Sequence, residues 1–174
     1  MKKIKNLSES SFLKLLFAFV GVAFLIAAFC MPDRSEMLPG FWQILSQPCK
    51  VTTNYFSVGG FAATFLNMGL VATICLIFFV GFRAEANNVS TLAFILTTGF
   101  GAWGINVLNI WPSIFGVRVY GLVKKEKFGG LVNARLFSTG IAPLITDLLI
   151  RYPNAEVIGF NPLGFGLALL VGLV

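Results

Sequence analysis

One carboxylate lies inside an apolar run: Asp147, in Leu144-Ile145-Thr146-Asp147-Leu148-Leu149-Ile150. A charged carboxylate at the centre of a bilayer costs about 2.5–3.5 kcal/mol on insertion scales, so something must compensate it. One reading is an ion or proton site. The other places Asp147 near the interface and pairs it with Arg151, one helical turn on, as a structural contact. Three neutral amides share such surroundings, Asn67, Asn106 and Asn109. Each either lines a polar cavity or hydrogen-bonds a neighbouring helix for roughly 1 kcal/mol. Together with Gly104, Pro112 and Pro143, which interrupt apolar segments, they point to discontinuous helices, whose ends offer dipoles and free carbonyls to small solutes or ions. Asp147, Asn67, Asn106 and Asn109 are therefore the candidate polar site.

Other chemistry is poorly provided for. The chain has no histidine, which removes the commonest general base, proton shuttle and metal ligand. Cys30, Cys49 and Cys75 are too scattered for a metal framework, and Cys75 sits in an apolar run where an inert buried thiol is the usual explanation. No phosphate loop, dinucleotide fingerprint or nucleophile elbow occurs; Gly59-Gly60 and Gly129-Gly130 lack the strand context that would give them meaning. The expectation is no enzyme, no bound metal and no cofactor.

The elements that must position these residues follow from composition. Of 174 residues, 57% are apolar and 11% charged, against roughly 45–50% and about 25% in soluble domains. The apolar residues come in runs that reach the ~20 needed to cross ~30 Å of hydrocarbon as a helix. Within lipid every backbone amide must be paired internally, leaving helices or a closed barrel, and unbroken runs lack the alternation of barrel strands. An all-α, polytopic transmembrane bundle of about five to six segments is expected, some broken or re-entrant.

Thirteen Lys and Arg face seven Asp and Glu, a balance that in a soluble chain would point to nucleic acid. Here Lys2, Lys3, Lys5, Arg83, Arg118, Lys124, Lys125, Lys127 and Arg135 occupy the N-terminal tail and short loops, the places of topogenic charges beside a cytoplasmic leaflet. No basic stripe interleaves with aromatics, so no nucleic-acid partner is expected. The location implied is an inner membrane, multi-pass, with a cytoplasmic N-terminus. The partners implied are the bilayer and, through glycine-lined faces, other membrane subunits.

Along the chain the expected spans are 12–30, 59–82, 89–104, 106–122, 131–150 and 157–174. The first follows a basic tail and lacks a cleavage site of signal-peptide type, so it reads as a retained helix. Pro32, Pro39 and Pro48 among charges make Met31 to Asn54 a loop. In the second span Gly59 with Ala63, and Gly60 with Thr64, would let another backbone approach closely. The block from Val89 to Leu122 is too long for one crossing, and the cations on both sides of it predict a hairpin bending near Gly104 to Asn109. The segment 131–150 is marginal, with Arg135 near its start and Pro143 in its middle. Phe56-Ser57-Val58-Gly59 and Phe137-Ser138-Thr139-Gly140 resemble each other, as internal repeats of transporters do and as chance also allows. The last run reaches Val174 without a polar cap, which reads as a truncated chain.

Three stretches carry a family likeness: Thr53 to Asn67 (TNYFSVGGFAATFLN), Asn106 to Tyr120 (NVLNIWPSIFGVRVY) and Phe137 to Asp147 (FSTGIAPLITD). They resemble an uncharacterised family of multi-pass bacterial membrane proteins, a domain of unknown function, over about residues 10 to 174. The resemblance implies longer members, so that this chain looks like an N-terminal portion whose partner would be the missing C-terminal part. It implies no activity and assigns no residue a role. The functional expectation is a transporter-like or channel-like protein for a small solute or ion, or alternatively a structural or assembly subunit packing through glycine-rich helix faces.

Overall fold

A computed structural model describes residues 8–46, 53–125 and 128–141. Among the described residues all regular structure is helical: α1 (Glu9–Cys30), a 3-10 turn (Arg34–Glu36), α2 (Met37–Ser46), α3 (Tyr55–Gly81), α4 (Asn88–Phe100), α5 (Trp111–Lys124), a second 3-10 turn (Phe128–Leu131), α6 (Val132–Ser138) and a last 3-10 turn (Thr139–Ile141). Local chemistry sets several starts. Ser8, Asn54 and Asn87 each accept a first-turn amide, from Ser11, Phe56 and Ser90 respectively, which satisfies donors that a helix cannot pair internally.

Among the described residues α1 and α3, at 22 and 27 residues, are the two helices long and apolar enough to cross a membrane. They run antiparallel. Phe17 lies against Phe79, Gly21 against Ala72, Leu25 against Gly69 and Phe24 against Phe65, while Ser10 Oγ accepts the Ala86 amide at 2.9 Å. The inner half of α3 is apolar core: Val71, Ala72, Cys75, Phe78 and Phe79 are buried. The opposite face of α1 is different. Phe12, Leu15, Phe19, Val22, Ile26 and Phe29 are all more than half exposed, and their three- and four-residue spacing makes one continuous apolar stripe.

The segment expected to be a loop, Met31 to Asn54, instead contains helix α2. The prolines mislead because Pro39 is the third residue of α2, where the amide it lacks would have no intrahelical acceptor. α2 crosses the start of α3 with almost no separation: a Cβ added to Gly40 would strike the Gly59 carbonyl, and one added to Gly59 would come within 2.6 Å of the Gly40 carbonyl and 2.8 Å of Ile44. Two glycines without side chains are what lets these backbones touch.

α4 and α5, at 13 and 14 residues, are only about 20 Å long at ~1.5 Å per residue, short of a full crossing. The non-helical stretch 101–110 joins them. Both outer ends lie at one end of the bundle: α4 follows Ala86, held to Ser10 at the start of α1, and beyond α5 Gly129 packs on the Phe82 carbonyl and Ala84. α6 leans on both α4 and α5. The spans expected at 131–150 and 157–174 lie outside the described residues past 141.

Gly40→Val should lower the melting temperature of the detergent-solubilised protein, since forcing atoms into such a crossing costs about 1–3 kcal/mol. Gly99→Ala, at a helical glycine with open space around it, should leave it unchanged or raise it by up to about 1 kcal/mol of stability. A Gly40→Val protein as stable as the parent would exclude the close crossing.

Candidate functional site

The helices depart from regular geometry at two places, one half-buried at Gly60 and one buried at residues 101–110. In α3, Gly60 has φ 82° and ψ −179°, a conformation in practice open only to glycine. It splits the helix and frees the amides that follow, and a carboxylate from far along the chain takes them. Asp33 Oδ2 accepts from Phe61 N–H at 2.7 Å, and Ala62 N–H donates to the two carboxylate oxygens at 3.2 and 3.3 Å. Asp33 is thus an N-cap supplied by another segment, its charge set against the positive end of the helix dipole.

The second departure is the stretch 101–110, which turns with Gly104 at φ 97°. Its polar backbone is enclosed, so each group needs a partner. Asn67, fully buried on α3, donates through Nδ2 to the carbonyls of Gly101 and Ile105 at 2.7 and 2.8 Å. Asn106 Oδ1 accepts from Leu108 and Asn109 amides at 2.9 and 3.0 Å. Asn109 returns the contact, accepting from the Asn106 amide at 2.8 Å and donating to the Gly104 carbonyl at 2.7 Å. Tyr55 closes the set, its amide donating to the Ala102 carbonyl at 3.0 Å and its hydroxyl accepting from Asn106 Nδ2 at 3.4 Å.

The structure therefore brings Asn67, Asn106 and Asn109 together around one buried turn. Asp147 and Pro143 lie outside the described residues. Gly104 is in the turn itself. Pro112, expected to break a helix, does not: it is the second residue of α5, a position where its fixed φ suits helix entry and its missing amide costs nothing.

Arg135, expected among the topogenic loop charges, is instead fully buried on α6. Hydroxyls surround its helix. Thr97 on α4 donates to the Leu136 carbonyl at 3.2 Å and lies 3.3 Å from the Thr139 hydroxyl, and Ser138 donates to the Arg135 carbonyl at 2.7 Å. Ser113 on α5 is fully buried, and among the described residues its hydroxyl has no hydrogen-bond partner. A polar seam thus runs where α6 meets α4 and α5, beside the apolar core. Sequence offered one usable signal for it, an arginine between Val132 and Leu136 in a segment otherwise poor in charge. Among the described residues no three His, Cys, Asp or Glu side chains gather as a metal site.

Fold and site together define an all-helical bundle with two long apolar helices, a half-depth helix pair joined by a buried turn, and an ionisable side chain in its interior. The chain belongs to the family described as "Protein of unknown function (DUF1576)", whose model matches residues 33–174. That match opens at Asp33, the residue that caps α3. No curated protein and no solved structure matches the chain.

Replacing Asn67 by Leu, similar in size, should destabilise the detergent-solubilised protein by about 1–3 kcal/mol, because two buried carbonyls lose their donor. Asp33→Ala should cost about 1 kcal/mol, as loss of a helix cap does, and Asp33→Asn less. Chemical-denaturation midpoints would measure all three; an Asn67→Leu midpoint equal to the parent's would mean the amide does not hold the turn.

Proposed function

We propose that this is a multi-pass integral membrane protein, resident in an inner membrane with its N-terminus cytoplasmic, that passes a small solute or ion along the seam around Arg135, without catalysing a reaction. The observation that carries the reading is the complete burial of Arg135 on α6, a helix that packs on the two short helices α4 and α5. In a lipid-embedded bundle such a charge is expensive, and its commonest use is in a substrate or ion pathway. Discontinuous helices at membrane depth are the usual surroundings of that kind of site. The exposed stripe of α1 supports the membrane setting, since each large side chain left in water would forgo about 1.5–3 kcal/mol of burial. Arg83, Lys124 and Lys125 gather at the end where α1 begins, which under the positive-inside rule is the cytoplasmic end.

A second reading has its own support. The three asparagines are engaged with the backbone of the turn, and glycine-lined crossings hold α2 on α3; both are what a packing or assembly subunit would use, with other membrane subunits or the remainder of a longer chain as partners. Purified protein in liposomes, challenged with a panel of salts and small neutral and zwitterionic solutes in an osmotic swelling assay, separates the two. The transport reading predicts swelling with at least one solute, lost in Arg135→Leu although that variant inserts and stays folded. Swelling absent throughout, with Arg135→Leu as stable as the parent or more so, as buried charges replaced by apolar groups often are, favours the subunit.

A further inference from the structure

At the end of the bundle where the helix pair begins and returns, a half-open cavity of about 440 Å3 is lined by Phe82, Arg83, Glu85, Asn87, Gly129, Gly130 and Asn133, with Ala84, a volume within the ~300–1,000 Å3 of small-molecule sites. Its first wall is the connection from α3 to α4. Burial alternates along it: Ala84 and Ala86 are buried, while Arg83, Glu85 and Asn87 are exposed, so a cation, an anion and an amide share one side. Its second wall is the turn at Gly129-Gly130 and the half-buried side chain of Asn133.

Arg83 stands where the chain needs a left-handed residue. Its amide donates to Val80 and that of Ala84 reaches back to Phe79, at 3.2 and 3.0 Å, the bonds of a Schellman cap, with Arg83 at φ 52°. Glycine is the usual residue there, and a side chain costs about 1 kcal/mol. Phe82, 42% exposed, borders the same cavity, and Val80 and Val89 on either side of it are more than half exposed. Opposite charges in a pocket thus adjoin an apolar surface.

We propose that this cavity binds the headgroup of a zwitterionic phospholipid carrying a primary ammonium, of the phosphatidylethanolamine type, Arg83 taking the phosphate, Glu85 the ammonium, and Phe82 the start of the acyl region. The apolar border selects a lipid over free phosphoethanolamine. Glu85 disfavours an acidic headgroup, and a trimethylated ammonium has no N–H to give Glu85. The inference rests on the membrane reading above.

Its test is the melting temperature of the purified full chain in maltoside detergent, titrated with dihexanoyl phosphatidylethanolamine, phosphatidylcholine, phosphatidylglycerol and free phosphoethanolamine. The expected result is tightest binding of the ethanolamine lipid, by about tenfold over the choline lipid, the value of one charge-assisted hydrogen bond. Glu85→Gln should erase that preference, Arg83→Gln should weaken both lipids, and Arg83→Gly should weaken both while raising the ligand-free melting temperature. Equal binding of the ethanolamine and choline lipids, a preference that survives Glu85→Gln, or an equal response to free phosphoethanolamine would overturn the proposal. Failure of the membrane reading shows separately, as a chain that is folded and monomeric without detergent.

Discussion

A backbone that leaves the helix inside an apolar bundle has to find new partners for its amides and carbonyls, and most of this structure answers that demand. The helix pair α4–α5 reverses through ten residues that are not helical, and no water lies at hand in a hydrocarbon setting to take the exposed groups. Asn67 supplies two of the missing donations from α3, the Tyr55 amide a third and Asn109 a fourth to Gly104, while Asn106 and Asn109 each accept the other's backbone amide. The same demand at Gly60 is met by Asp33. Once these four side chains are in place, the split start of α3, the seat of α2 and the depth of the helix pair follow from packing.

The packing itself depends on small residues at close crossings. Without a strong hydrophobic drive between helices in lipid, approach distance decides how much van der Waals contact is gained. Gly40 against Gly59, Gly21 against Ala72 and Leu25 over Gly69 are such approaches. They hold α1, α2 and α3 as one unit and leave the outer stripe of α1 for its surroundings. α6, which carries the buried Arg135, packs on α4 and α5, and Thr97 of α4 bonds the Leu136 carbonyl and the Thr139 hydroxyl at its C-terminal end.

Much of this was legible from residue types alone, and the reasons differ by element. Long apolar runs gave α1 and α3 because nothing but a helix pairs its own amides over that length. Asn67, Asn106 and Asn109 stood out because neutral amides in oily segments need a use. Helix α2 is hidden in the sequence, since Pro39 and the prolines flanking the helix look like breakers until Pro39 is known to lie in a first turn. Asp33 was unreadable as a cap: its partners are 28 and 29 residues away, and local patterns carry no such information. Arg135 was misjudged because a charge near the edge of a hydrophobic segment looks topogenic, and only its neighbours on α4 and α5 show that the edge is inside.

The central claim is that the chain turns back within the bundle at residues 101–110, so that the two outer ends of the helix pair share one side. Single cysteines introduced as Glu85→Cys and Lys125→Cys in a background lacking Cys30, Cys49 and Cys75, probed with a membrane-impermeant maleimide in intact and inverted vesicles, test it directly. Both positions are exposed. The account predicts that the two label in the same vesicle orientation; labelling from opposite sides would mean that the helices cross the membrane in series and that the buried turn has been misread.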